Sequence, residues 1–301
     1  MRIILGMLAA LCAVPALAQN LDLGGRPGAP PQPIQITASQ GITWSQDAKT
    51  VTATGGAKAV RGDVTVEADE LVAHYRKKAG AAPAPSTPAS GPADVLDQGN
   101  AELYELDAIG HVHIYTTTDN AWGDHAVYDM DSQVLVLTGS ALKLTTPQDT
   151  ITARDSIEYY SGAHKAVARG NALIVATDGR SVAADVITGY LSSTPGPGTG
   201  AAAPAATDAL ADQAGQLEKV EAVGHVVIHT ATDTATGDTG VYLPPTGQAR
   251  LGGNVHIIHG PNELAGSDAL VNMKTGIATL LAGPGGQVSG TILPASGKSA
   301  K

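Results

Sequence analysis

Residues 110–128 (GHVHIYTTTDNAWGDHAVY) return as residues 224–242 (GHVVIHTATDTATGDTGVY), 114 positions later, with twelve identities in nineteen and no gap. Gly110/Gly224, His111/His225, Asp119/Asp233, Gly123-Asp124/Gly237-Asp238 and Tyr128/Tyr242 are among them. Self-similarity of this kind points to a repeat architecture, in which each unit buries its apolar face against its neighbours. A shorter period lies inside the long one. A Gly, then a polar or small residue, then Val or Ala recurs at Gly55-Gly56-Ala57, Gly110-His111-Val112, Gly139-Ser140-Ala141, Gly170-Asn171-Ala172, Gly224-His225-Val226 and Gly253-Asn254-Val255. The spacings are 55, 29, 31, 54 and 29, and both long gaps contain a Pro/Ala/Gly/Ser tract. The basic module is therefore about 30 residues, interrupted by two insertions.

Between the Gly positions, apolar and polar residues alternate in short runs bounded by turn residues: Ile36-Thr37-Ala38, Ile42-Thr43-Trp44, Thr50-Val51-Thr52-Ala53, Val64-Thr65-Val66 and, most clearly, residues 111–115. A period of two is the strand signature, and strands joined by short turns are antiparallel. No stretch of the mature chain has helical periodicity. The 301 residues include no Phe, 2 Trp and 8 Tyr, so Val, Ala, Ile and Leu must line the interior. This predicts an all-β fold, an antiparallel β-jelly roll made by rolling one twisted sheet over its apolar face.

The chain opens MRIILGMLAALCAVPALA, an apolar run ending in an Ala-x-Ala site, which predicts a signal peptide over residues 1–18 cleaved after Ala18. Residues 19–35 are Pro/Gly-rich and read as a flexible leader, with the jelly roll over 36–290 and a flexible tail over 291–301. The insertions fall at about 79–96 and 192–217, each after an Ala-Asp-containing strand and before a Gly-His-Val strand. They read as solvated excursions from one sheet; the alternative is that each separates two domains. The one cysteine, Cys12, lies in the predicted signal peptide, so the mature chain has no disulfide and suits a bacterial periplasm. Without Arg2 the formal charge moves from −10 to −11, and with no basic stripe nucleic acid is not expected as a partner.

The alternation puts Val112 and Ile114 on an apolar face and His111, His113 and Lys143 on a wet one. By the same phase Leu135, Leu137, Val226, Ile228, Val255 and Ile257 face inward, joined by Leu142 and Leu144, although the phase shifts by one around residues 141–144 and is open there. These ten residues form either the lining of an apolar trough or simply a core.

A Gly-x-Val strand followed by an Ala-Asp or Gly-Asp strand ending in Tyr recurs along the chain. The second strand is seen as Val66-Glu67-Ala68-Asp69 to Tyr75, Gly123-Asp124 to Tyr128, Val182-Ala183-Ala184-Asp185 to Tyr190 and Gly237-Asp238 to Tyr242. Weaker forms are Thr152-Ala153-Arg154-Asp155 to Tyr160 and Leu264-Ala265-Gly266-Ser267-Asp268 to Met273. Over residues 36–285 this resembles the OstA-like (LptA) family, which comprises the periplasmic bridge component of lipopolysaccharide export and the soluble domain of its outer-membrane partner. The resemblance implies a non-enzymatic carrier without cofactor, whose apolar interior receives the acyl chains of lipid A. It implies as partners lipopolysaccharide, the inner- and outer-membrane export components and further copies of the chain, paired end to end through their terminal strands.

Chemistry-bearing patterns are sparse. His111/His113, His225/His229 and His256/His259 offer imidazole pairs, but a zinc site generally takes three or four ligands and no third is evident, so no metal is expected. Gly297-Lys298-Ser299 lacks the earlier Gly of a phosphate loop, since that position is Ile292. Asp124 and Asp238 could be offered as acid and base of a glycan-active β-solenoid; their recurrence in every module fits turn and strand-end roles better, and no catalytic residue is assigned. A structural or adhesive β-repeat protein without a lipid ligand remains the alternative to the carrier.

Overall fold

Alternating sequence paired through short turns gives a meander in the computed structural model, which describes residues 34–77, 101–195, 215–272, 277–283 and 286–291. Strands β1 (Gln35–Thr37) and β2 (Gly41–Ser45) lie end to end along β3 (Thr50–Arg61), followed by β4 (Val64–Lys77), β5 (Ala101–Tyr115) and β6 (Asn120–Asp129). Next, β7 (Val134–Thr138) and β8 (Leu142–Thr145) share the edge of β6. In turn β10 (Ser156–Tyr160) pairs with β7 and β9 (Asp149–Ala153) with β8, and both pair with β11 (Lys165–Ala176). The meander continues through β12 (Ser181–Pro195), β13 (Gly215–His229), β14 (Asp233–Leu243), β15 (Gln248–His259) and β16 (Asn262–Asn272), against which β17 (Ile277–Leu281) and β18 (Ser289–Thr291) both pair. All pairings are antiparallel within one 18-stranded sheet, and no helix occurs among the described residues.

The Gly-x positions are where this sheet creases. Gly110 and His111 both have left-handed backbone, at φ 77° and 46°, and the β5–β6 register shifts between Ile109 and Val112. Gly224 and His225 do the same at φ 80° and 48°. A side chain at the first position of each pair would meet the carboxylate of Asp69 or Asp185 from the neighbouring strand. Such bulges bend a strand sharply, and Asn and His tolerate the left-handed region better than most residues.

The recurrent Asp residues prop these creases. His111 Nδ1 lies 2.7 Å from Asp69 Oδ2, and His225 Nδ1 lies 2.9 Å from Asp185 Oδ2. Asn254 Nδ2 donates to Asp238 at 3.0 Å, and the Ser140 amide donates to Asp124 at 2.7 Å. Asp124 and Asp238 therefore sit in mid-strand, where each long strand folds over, and not at turns or strand ends as the spacing suggested.

Creasing brings the two halves of the sheet face to face. Ala108 and Val112, on opposite sides of one crease, join the same core cluster, as do Ala222 and Val226. Buried alanines beside the creases, such as Ala57, Ala68, Ala126, Ala172 and Ala184, let the halves approach closely where the fold is tightest. Two clusters result, one spanning Val64 to Leu142 and one Ile151 to Ala269, and Leu144 and Ala153 pack against both.

The long repeat is reproduced in the pairing itself. In the first copy Thr65 pairs Tyr115, His74 pairs Glu105 and Tyr75 pairs Leu103; in the second Ser181 pairs His229, Tyr190 pairs Lys219 and Leu191 pairs Leu217, with two irregularities in common and a third, between Leu191 and Pro195, in the second copy.

Of the boundaries expected from sequence, the second insertion narrows: β12 reaches Pro195 and β13 begins at Gly215, with Leu217 buried. Its flanks extend strand pairing, which a composition-based boundary overlooks. Gln35 likewise opens β1 and Thr291 closes β18. The predicted signal peptide, residues 19–33 of the leader, the first insertion, residues 196–214 and residues 292–301 lie outside the described residues.

Candidate functional site

All ten residues assigned to the apolar face point into the fold. Val112, Ile114, Val226 and Val255 are at most 1% exposed, and Leu135, Leu137 and Leu142 are buried. The structure gathers Val112, Ile114, Leu135, Leu137 and Leu142 in the first cluster and Val226 and Val255 in the second. Leu144 touches both, while Ile228 and Ile257 flank the second. The uncertain phase at residues 141–144 is settled by the crease at Gly139-Ser140: Leu142 and Leu144 face inward.

In this conformation the inward side chains pack into two continuous apolar clusters. The packing loosens away from the creases in the second copy. Val226 is buried and Ile228 only partly so; Val255 is buried and Ile257 only partly so. Leu142 and Leu144 show the same gradient at the junction.

The outer face is polar and well partnered. His113 does not join His111; it stacks between Tyr115 and Trp122 at 4.6 and 4.9 Å and meets Asn120 at 3.0 Å. His229 meets Thr234, His256 faces Glu263 and His259 faces Asp233, so none of the three sequence pairs converges on a metal position. Glu158 is buried among Ser156, Tyr160 and Arg169, each donating to it at 2.7 to 2.8 Å. Burial pushes its carboxyl up, but the three hydrogen bonds outweigh that and hold it below its ordinary value. One group escaped sequence reading: His74, Glu105 and Asp107 place donor atoms within 4.8 Å of one another. Their meeting depends on the β4–β5 register across the first insertion, which spacing alone cannot supply.

Residues 35–161 match the family model described as LptA/(LptD N-terminal domain) LPS transport protein. The matched stretch contains the whole first copy together with β9 and β10, which lie along β11. No curated protein matches the chain. Among solved structures, the chain is similar to LptH from Pseudomonas aeruginosa, described as the LptA homologous periplasmic component of the conserved lipopolysaccharide transport device, at 17% identity and a TM-score of 0.38, over 48% of this chain and 95% of that chain.

Proposed function

We propose that the chain is a non-enzymatic, exported carrier for lipopolysaccharide, holding lipid A acyl chains between its creased half-sheets. The observation that carries this reading is the unbroken apolar seam, which passes from the first cluster to the second through Leu144 and Ala153, in a chain whose residues 35–161 match a lipopolysaccharide-transport family model. Burying a methylene is worth about 0.8 kcal/mol, so a twelve-carbon chain kept from water gains on the order of 10 kcal/mol. That is enough to drive opening of a mouth lined by partly buried Ile228, Ile257 and Leu144. Residues 36–290 act as one continuous unit in this reading, in the periplasm after cleavage behind Ala18.

Bridging of inner- and outer-membrane export components uses the two ends of the sheet. Among the described residues β2 pairs only with β3 and β17 only with β16, leaving edges that carry exposed Ile42 at one end and exposed Ile277 and Leu281 at the other. Unpaired edges of this kind recruit further strands, including those of another copy.

Photocrosslinking tests the carrier directly. Unnatural residues at Val226, Ile228 or Ile257 are expected to label lipopolysaccharide, and the same residue at His111 or His113 is not. Equal labelling from both faces, or none from the interior, would leave the seam as plain core and favour a structural β-repeat protein.

A further inference from the structure

Four side chains of metal-donor type stand together on the outer face of the first copy. His74 of β4 is the register partner of Glu105 of β5; Asp107 follows two residues on and shares its face, and His125 of β6 partners Ile109, two further along. His74 Nε2 lies 2.8 Å from Asp107 Oδ2 and 4.0 Å from Glu105 Oε1, and His125 Nε2 lies 3.3 Å from Asp107 Oδ1. Asp107 thus has an imidazole on each oxygen.

The backbone is shaped for this meeting. The register passes from His74–Glu105 to Tyr75–Leu103, leaving Tyr104 as an extra residue whose ring lies 6.0 Å from that of His74. Without this bulge Tyr104, not Glu105, would face His74; re-aiming a side chain is what such bulges do beside functional sites. The inward neighbours Ala73, Ala108 and Ala126 are buried, so the donors stand on a packed sheet.

The second copy serves as an internal control. Its register and bulge are the same, and the four positions hold Tyr190, Lys219, Glu221 and Thr239. There Lys219 Nζ lies 2.9 Å from Glu221 Oε1, and the Tyr190 hydroxyl donates to Glu221 Oε2 at 2.8 Å. The carboxylate in the Asp107 position is held by a cation built into the chain. In the first copy the lysine position is Glu105, which reverses the charge, and the Tyr and Thr positions are both histidine. Arg76, two residues along β4, is taken up by Glu102 and Asp131 at 2.7 to 2.8 Å. Among the described residues, Glu105 and Asp107 form ion pairs only with histidines.

We infer that His74, Glu105, Asp107 and His125 bind a first-row divalent metal ion of the zinc type, clamping β4, β5 and β6 together. Zinc bonds of about 2.0–2.2 Å in a tetrahedral shell set neighbouring donors about 3.4 Å apart. Within the trio of His74, Glu105 and Asp107, whose donor atoms all lie within 4.8 Å of one another, the separations of 2.8 and 4.0 Å straddle that value; His125 stands 3.3 Å from the other oxygen of Asp107 and would swing in as the fourth ligand. The site lies outside the apolar seam and does not depend on the lipid reading.

Calorimetric titration of EDTA-stripped full-length protein with Zn²⁺ is expected to give one ion per chain, and Co²⁺ in its place the visible absorption of a tetrahedral site. Glu105→Lys, which installs the second copy's lysine, and His74→Ala are each expected to weaken binding at least about 100-fold, and His125→Gln about 10- to 100-fold. His111→Ala with His113→Ala should leave it unchanged. The triple change Tyr190→His, Lys219→Glu, Thr239→His is expected to raise the stoichiometry to two; a value that stays at one counts against the inference. Absence of saturable binding to the wild-type chain, or binding that survives both His74→Ala and Glu105→Lys, overturns it.

Discussion

The two copies share a backbone register and differ in how well they are filled. Ile114, Tyr128 and Leu135 of the first are 1%, 1% and 4% exposed, whereas Ile228, Tyr242 and Ala249, at the same register positions in the second, are all partly exposed. Creases and pairing therefore set the frame, and side-chain volume at the inward positions decides whether the frame is sealed. The first copy is the firmer scaffold and carries the metal-donor cluster. The second is the looser one, and under the proposed carrier role it is the half that would yield to an apolar guest.

The largest effect should come from emptying the sealed half. Tyr128→Ala is expected to destabilise by about 3–5 kcal/mol and Ile114→Ala by about 2–5. Tyr242→Ala and Ile228→Ala should cost clearly less, roughly half, because their sites are already wet at one end. Urea midpoints measure this, and equal losses in the two copies would erase the distinction between them.

Gly110→Ala and Gly224→Ala probe what the copies have in common. Each adds left-handed strain of about 1–2 kcal/mol and a clash with the propping Asp, so matched losses of about 2 kcal/mol or more are expected. A large difference would mean that the creases are not equivalent.

Glu158 separates the copies by pH, since its counterpart in the first, Thr43, cannot ionise. Burial raises its carboxyl, but hydrogen bonds from Tyr160, Arg169 and Ser156 prevail and lower it from the ordinary 4.5. A depressed carboxyl contributes stability above the unfolded value that is lost as pH falls through the folded one. Glu158→Gln should therefore cost about 1 kcal/mol at neutral pH and progressively less below pH 4.5, read from thermal midpoints between pH 3 and 7.

The smallest effect belongs to the crease histidines. Hydrogen bonds to Asp69 and Asp185 raise His111 and His225 above their ordinary 6.5. Their contribution is complete below that value and fades as pH rises through the raised one, the opposite sense to Glu158. Imidazole titration by NMR should give both above 6.5, and Asp69→Asn should lower only His111.

Much of this frame was legible in the residues. The repeated Gly-His-Val stretch disclosed the duplication, and strict alternation around Val112 and Ile114 disclosed the buried face. The phase at Leu142 and Leu144 was hidden because the crease between β7 and β8 breaks the strand over residues 139–141, which alternation does not record. Asp124 looked like a turn or strand-end residue because it recurs in every module, although it stands in mid-strand and its partner Ser140 lies in the crease between β7 and β8. The cluster of His74, Glu105 and Asp107 was illegible for a stronger reason: its members meet only once β4 and β5 are paired across an insertion and stepped by the bulge at Tyr104.

The meander's connectivity has a consequence for how such a molecule comes into being. Every strand pairs with partners no more than three strands away along the chain, so ordering can nucleate at any hairpin and zip outward in both directions, without waiting for distant segments to find each other. The same property lets evolution lengthen or shorten the array by whole hairpins, leaving the rungs on either side undisturbed.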